Sequence, residues 1–237
     1  KNRCKAIKFC PELKHVVQNI YGFDTGSHIL VGTKSFIVHQ FTMRSRLNNT
    51  RLLAQKEVLE GTDLVIQLDF PPYTWPKEAE QNFINYINEG RGGWIGFHHA
   101  TLLGDFDGYP LWQWFSDFMG GIRFQNYIAP LADGTVIVED KEHPVMKGVD
   151  ASFVVQDDEW YTYDKSPRPN VRVLAHVDES TYTPASAVKM GDHPVVWVNE
   201  GKAARNVYFQ MGHSPKLFQS DDLTMMLSNA IRWTLKK

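Results

Sequence analysis

The chain is short of cysteine, of net charge and of long apolar runs, and each shortage excludes something. Its 237 residues include two cysteines, Cys4 and Cys10. They lack the C-x-x-C spacing of a redox or zinc motif, and a large domain gains little from so short a loop, so two unpaired thiols are expected. No stretch of about 18 apolar residues occurs, which excludes a membrane-spanning helix. Lys and Arg number 25 against 27 for Asp and Glu. Neither sign forms a block, which argues against a partner bound by charge alone, whether nucleic acid or membrane surface. No H-E-x-x-H or other close-spaced metal-ligand motif is present. The chain opens on Lys1, so its expected location is the cytoplasm or, after loss of an upstream segment, the periplasm or the exterior.

What is there is an ordinary globular balance, 43% hydrophobic and 22% charged, in a length that suits a single domain over 1–237. Short apolar runs alternate with helical patterns, which predicts an α/β fold with a mostly parallel sheet covered on its faces. Asp63–Asp69 reads as a buried strand ending in a carboxylate. Pro76 opens a helix whose apolar face is Ala79, Phe83, Ile84 and Ile87, and Gly90 stops it. Gly92–Phe97 reads as a strand of small and apolar residues. Thr135–Glu139, Phe153–Val155, Val171–Ala175, Pro194–Val198 and Asn206–Met211 are further strand candidates. Ser220 caps a final helix striped by Leu223, Met226, Leu227, Ala230 and Ile231. Near the start, Lys5–Cys10 suggests a strand, Pro11–Tyr21 a helix and Ile29–Val38 a second strand. Gln40–Asn49 has no clear period.

Four strings carry candidate chemistry. The first is Gly96-Phe97-His98-His99-Ala100. Ligands of open α/β sheets sit beyond the carboxyl ends of strands, and the G-x-S-x-G elbow of hydrolases uses such a turn to expose a nucleophile. Here His98 stands at the nucleophile's position, where an imidazole acts as acid, base, metal ligand or hydrogen-bond donor. Val207–Ser214 repeats the design, with His213 after Gly212 at a strand end. In Asp157–Tyr163, carboxylates beside Trp160, Tyr161 and Tyr163 suit sugar recognition, although the string reads equally as a solvated loop with its aromatics in the core. Asp192-His193 offers an orienting pair or a loop feeding a strand. His143-Pro144 reads as a structural turn.

Taken together these strings resemble the ThuA-like family, named for trehalose utilisation. The resemblance is carried by Asp63–Leu68, Gly92–Ala100, His143–Gly148, Asp158–Tyr161, His193–Trp197, Met211–His213 and Asn229–Trp233, in family order over roughly 60–235; residues 1–50 give no clear match. It implies a flavodoxin-like three-layer sandwich related to class I glutamine amidotransferases, with His98 in place of the catalytic cysteine and His213 near the partner histidine. Glutamine hydrolysis needs the thiolate and is therefore not expected. The implied role is in disaccharide or glycoside catabolism, including 3-keto-sugars, with a small-molecule carbohydrate as partner. The expected chemistry is cleavage or isomerisation by His98, His99, Glu159 and His213 as acid–base groups, or by a divalent metal held among them. Trp160, Tyr161, Asp192, His193, Asp69 and Tyr73 form the expected substrate-binding set. The alternative is a non-catalytic sugar-binding or complex-forming protein on the same fold. A homo-oligomer is left open.

Overall fold

A computed structural model describes residues 27–31, 34–40, 53–68, 71–106 and 108–235. Asp69, Cys4, Cys10 and the segments expected over Lys5–Cys10, Pro11–Tyr21 and 41–49 lie outside the described residues. Nine strands form one sheet, in the order β1 (Ser27–Val31), β2 (Lys34–Gln40), β3 (Leu64–Leu68), β4 (Gly93–Phe97), β11 (Asn206–Phe209), β10 (Pro194–Val198), β9 (Arg172–Thr183), β6 (Ala132–Val138) and β7 (Ser152–Asp158). A two-stranded ribbon pairs β5 (Phe124–Tyr127) with β8 (Tyr161–Tyr163). The helices are α1 (Lys56–Glu60), α2 (Lys77–Asn88), α3 (Gln113–Phe118) and α4 (Asp221–Thr234).

The chain is α/β, but the sheet is mixed rather than mostly parallel. Among the described strands the parallel pairings are β2–β3, β3–β4 and β4–β11, and every other pairing in the sheet is antiparallel. The burial patterns give the reason. Leu64–Gln67 of β3 and the whole of β4 are continuously buried, as strands covered on both faces must be, whereas β6 and β7 alternate buried and more exposed positions, the habit of antiparallel strands. The strand expected over Ile29–Val38 is two strands, β1 and β2, paired antiparallel across two intervening residues.

Alternate residues of β3 and β4 feed two cores. Leu64, Ile66, Ile95 and Phe97 pack in one with Leu223, Met226, Leu227, Ala230 and Ile231 of α4. Val65 and Trp94 pack in the other with Ala79, Phe83, Tyr86 and Ile87 of α2 and with Phe115 and Phe118 of α3. Helix α2 starts after Pro76, with Glu78 and Glu80 at its positive end. Helix α4 is capped by the Ser220 hydroxyl, which accepts from the Leu223 N–H at 3.4 Å. On β4, a side chain at Gly96 would collide with the Trp94 ring, its Cβ lying 2.1 Å from a ring carbon. The missing side chain lets Trp94 fold along its own strand, where its Nε1–H donates to Gln67 Oε1.

Because β4 and β11 are parallel neighbours, with Phe97 opposite Phe209, they end together at one edge of the sheet. β7 lies four places from β11 in strand order, about 19 Å away if the sheet were flat. Yet Asp158 of β7 bonds to the backbone of Gly212 just past β11, so the sheet curls until these ends meet. A register shift in the β6–β7 pairing between Ala132 and Gly134 accompanies a left-handed Asp157 (φ 48°). Such a bulge bends a strand end and re-aims its side chains.

Candidate active site

The elbow expected after β4 is present. His98 has φ 40° and leads into a 3₁₀ turn over His98–Thr101. A non-glycine residue in that region costs of order 1–3 kcal/mol and persists only where its surroundings impose it. Behind the turn, the Tyr208 hydroxyl donates to the His98 carbonyl at 2.9 Å, and Thr101 Oγ1 lies 2.7 Å from Tyr208 and 2.9 Å from the Tyr163 hydroxyl. Burial pushes the Tyr163 hydroxyl up to about 12, so this knot is neutral at physiological pH. In front, Gly212 (φ 151°) passes so close that a Cβ on it would stand 3.3 Å from the His98 Cβ.

His98, His99, Glu159 and His213 converge here, with one potential ligand atom from each all within 4.8 Å of one another. His98 is wholly buried, His99 half-buried, and the His213 side chain is 39% exposed, so the cluster opens to solvent on the His213 side. His98 Nδ1 lies 3.0 Å from the Gln210 carbonyl, which can only accept, so Nδ1 carries a hydrogen. That turns Nε2 towards Glu159 Oε2, 3.0 Å away. The same oxygen lies 3.5 Å from His213 Nδ1. Burial raises the Glu159 pKa, but the hydrogen bond and charge of His98 and the charge of His213 outweigh it, leaving the carboxyl below its ordinary value. With Nδ1 protonated, the Nε2–Oε2 contact needs one proton between the two atoms, on the ring or on the carboxyl, or a bound cation in its place.

One carboxylate ties the loops together. Asp158, wholly buried, accepts the N–H groups of Glu159 (2.9 Å), Gly212 (3.0 Å), His213 (2.9 Å) and Ser214 (3.4 Å). Burial raises its pKa, opposed by His98 and these N–H donors. Asp158 faces the backbone, and its neighbour Glu159 faces the histidines. The sequence offers Asp158 only as one carboxylate in a string, and three of its four partners lie more than fifty residues away.

The expected substrate-binding set is largely relocated. Trp160 is fully buried, donates through Nε1 to the Ala132 carbonyl at 2.8 Å and packs on Tyr182, so it has no face for a sugar. Asp192 lies on the surface, bound to Arg168 and Ser166, and orients nothing in the site. His193 is buried, and its partner is Glu179, at 2.9 Å from Nδ1, not Asp192; its Nε2 lies 2.9 Å from the Tyr161 carbonyl. His193 therefore braces the backbone under Tyr161 and is closed to substrate. Tyr161 is also buried, and its ring lies 4.1 Å from that of His98. Tyr73 is half-buried, edge-on to Phe106 and Tyr109, both at 5.0 Å. His143 is structural: it packs on Trp233 and accepts the Val145 N–H. Glu179, Gln210 and Tyr208 reach the site through partners distant in sequence, so no local pattern marks them; Thr101 also donates to the His98 carbonyl three residues before it.

The ThuA family, described as trehalose utilisation, matches residues 14–234, including most of the N-terminal fifty residues that individual motifs leave unmatched. A ThuA-like protein from Bacteroides uniformis is 34% identical, with 77% of this chain and 74% of that one covered at a TM-score of 0.67. A ThuA-like protein from Parabacteroides merdae is 17% identical over 85% and 88% of the two chains (TM-score 0.57). A cytoplasmic protein of Salmonella typhimurium shares the fold at 11% identity over 79% and 80%, with a TM-score of 0.54. No curated protein matches the chain. Among the described residues no helix is long and apolar enough to cross a membrane. On the extent of the profile match and the Bacteroides likeness, the chain belongs to the ThuA family.

Proposed function

We propose that this protein acts in sugar metabolism and that the His98, His99, Glu159 and His213 cluster cleaves or isomerises a sugar derivative carrying a keto group. The observation that carries the reading is the shared oxygen, Glu159 Oε2, addressed by His98 on its buried side and by His213 on its open side. A keto group acidifies the neighbouring C–H, so the reaction needs a base for that proton and a positive charge for the enolate oxygen. Ionised Glu159 orients His213 through Nδ1, leaving the outer edge of that ring to take the proton. A positioned base of this kind contributes about 10²–10⁴-fold.

The donor set also suits a divalent metal. Three imidazoles and one carboxylate match zinc, manganese or iron. His98 has its Nδ1–H on a backbone carbonyl, the second-sphere contact usual for a ligating histidine. The four residues would hold the ion, and a bound metal would supply Lewis-acid stabilisation to the enolate oxygen. The elbow with an imidazole at its apex, and helices on both faces of the parallel strands, support a class I glutamine amidotransferase-like ancestry without glutaminase activity.

The test is turnover of glycosides and their 3-keto forms, with and without added divalent metals, by the wild type and by His98→Ala and His213→Ala. Both variants are expected to lose at least about 10²-fold. Undiminished turnover in well-folded variants refutes the assignment. Sugar binding by calorimetry with no product over long incubation identifies a non-catalytic sugar-binding protein instead.

A further inference from the structure

Glu179 and His193 form a second buried histidine–carboxylate pair, which the reaction proposed above does not use. Glu179 Oε1 lies 2.9 Å from His193 Nδ1, with the Tyr182 hydroxyl 3.1 Å from the same nitrogen, and the carboxylate also accepts the N–H groups of Met190 and Gly191. Burial raises the Glu179 pKa, but the bond to His193 and the two N–H donors outweigh it, leaving the carboxyl below its ordinary value. Taking two such groups out of water costs about as much as their attraction returns, so the pair is a poor source of stability. What it supplies is direction. With Nδ1 fixed on Glu179, Nε2 points at the Tyr161 carbonyl, 2.9 Å away, which can only accept.

His98 is gripped by two residues that meet at that carbonyl. Gln210 accepts the His98 Nδ1–H through its own main-chain carbonyl and donates from Nε2 to the Tyr161 carbonyl at 2.9 Å. Tyr161 lays its ring 4.1 Å from that of His98. One oxygen therefore takes two N–H groups, and the Gln210 and His193 nitrogens lie 3.0 Å apart because they converge on it. The frame is anchored in the sheet, since the His193 carbonyl accepts the Val177 N–H of β9 (3.1 Å) and the Gln210 N–H donates to Val195 of β10 (2.8 Å). Both groups that border His98 thus hang from the atom to which His193 is aimed.

We propose that His193, oriented by Glu179, is a positioning residue that fixes the His98 ring through the Tyr161 carbonyl and Gln210 without touching substrate. The inference rests on the reading of the histidine cluster as the reacting centre. Two substitutions separate the two bonds of His193. Asparagine places its amide nitrogen near Nδ1 and keeps the bond to Glu179; glutamine places it near Nε2 and keeps the bond to Tyr161. Turnover of 3-keto-glycosides is measured beside exchange of the His98 Nδ1–H, followed by NMR of the full chain labelled with ¹⁵N-histidine and identified by its absence from His98→Ala. His193→Asn is expected to lower kcat and to speed that exchange, each by at least about tenfold, with KM little changed. His193→Gln keeps both near wild type, although urea unfolding ranks it the less stable of the two because it strands Glu179. Exchange unchanged in His193→Asn overturns the proposal, as do losses of turnover and protection that follow the order of stability. Should neither variant fold, Gln210→Met removes the Nε2–H while keeping the main-chain carbonyl; faster exchange of the His98 proton is then expected, and an unchanged rate overturns the proposal. Faster exchange in His193→Asn, with no keto-glycoside turned over by the wild type, leaves the positioning role standing and removes the catalytic reading.

Discussion

Asparagine at position 158 changes one oxygen of a buried side chain into an amide nitrogen and leaves its volume nearly unchanged. The carboxylate now accepts four N–H groups, three on Oδ1 and one, from Gly212, on Oδ2. An asparagine placed to keep the Oδ1 bonds sets its NH₂ against the Gly212 N–H, donor facing donor. Hydrogen bonds to a charged group contribute about 1.5–3 kcal/mol each, and a buried donor left without a partner costs about 1–3 kcal/mol. Relief of the burial cost that raises the Asp158 pKa offsets part of this. The expected loss for Asp158→Asn is therefore about 2–3 kcal/mol, and for Asp158→Ala, which strands all four donors, about 5 kcal/mol. Urea unfolding measures both, with an unchanged m-value showing that the two-state transition is preserved. Since the same carboxylate sets Glu159 against His213, a cation held by the cluster should bind about 10–100-fold more weakly in the asparagine variant. An unfolding midpoint and cation affinity equal to wild type would refute the staple. Lost stability with unchanged affinity would show that it holds the fold but does not position the site.

Three further outcomes are expected. Gly212→Ala places a Cβ against the His98 side chain on a left-handed backbone, so thermal unfolding should report a loss of about 1–3 kcal/mol together with reduced turnover. Tyr208→Phe removes the hydroxyl that donates to the His98 carbonyl and should cost about 1 kcal/mol by urea unfolding, with activity falling more than stability implies. His143 is held below its ordinary pKa by burial, then by the charge of Arg172. Its contribution to stability is accordingly full above about pH 6.5 and is lost as pH falls through the lower folded value. The gap in unfolding free energy between wild type and His143→Asn should narrow as pH drops from about 7.5 to 5, and a constant gap would exclude the assignment.

Where apolar pattern and end signals coincide, the sequence is easily read. β3, β4, β10 and the two long helices lie where their runs, caps and terminators place them, because each buries a face that the pattern alone identifies. Strand direction is less legible, since a buried run does not say which way its neighbour points. Even so, the alternation of Ser152, Phe153, Val154 and Val155 was a usable antiparallel signal. In the site, His98, His99, Glu159 and His213 are named by sequence and brought together by structure. Adjacency misleads at Asp192-His193 and at Glu159-Trp160. Successive residues there point opposite ways, so one of each pair goes to solvent or to the histidines while the other enters the core.

The pairing of His98 Nδ1 with the Gln210 carbonyl spans 112 residues. It depends on β4 and β11 lying side by side, a parallel contact that closes a long loop, and such contacts form late and slowly. No fragment that stops short of β11 can own this chemistry, however well its earlier strands and helices assemble. A cation bound by the cluster would therefore mark completed folding, and its optical signature would time the last long-range step of assembly.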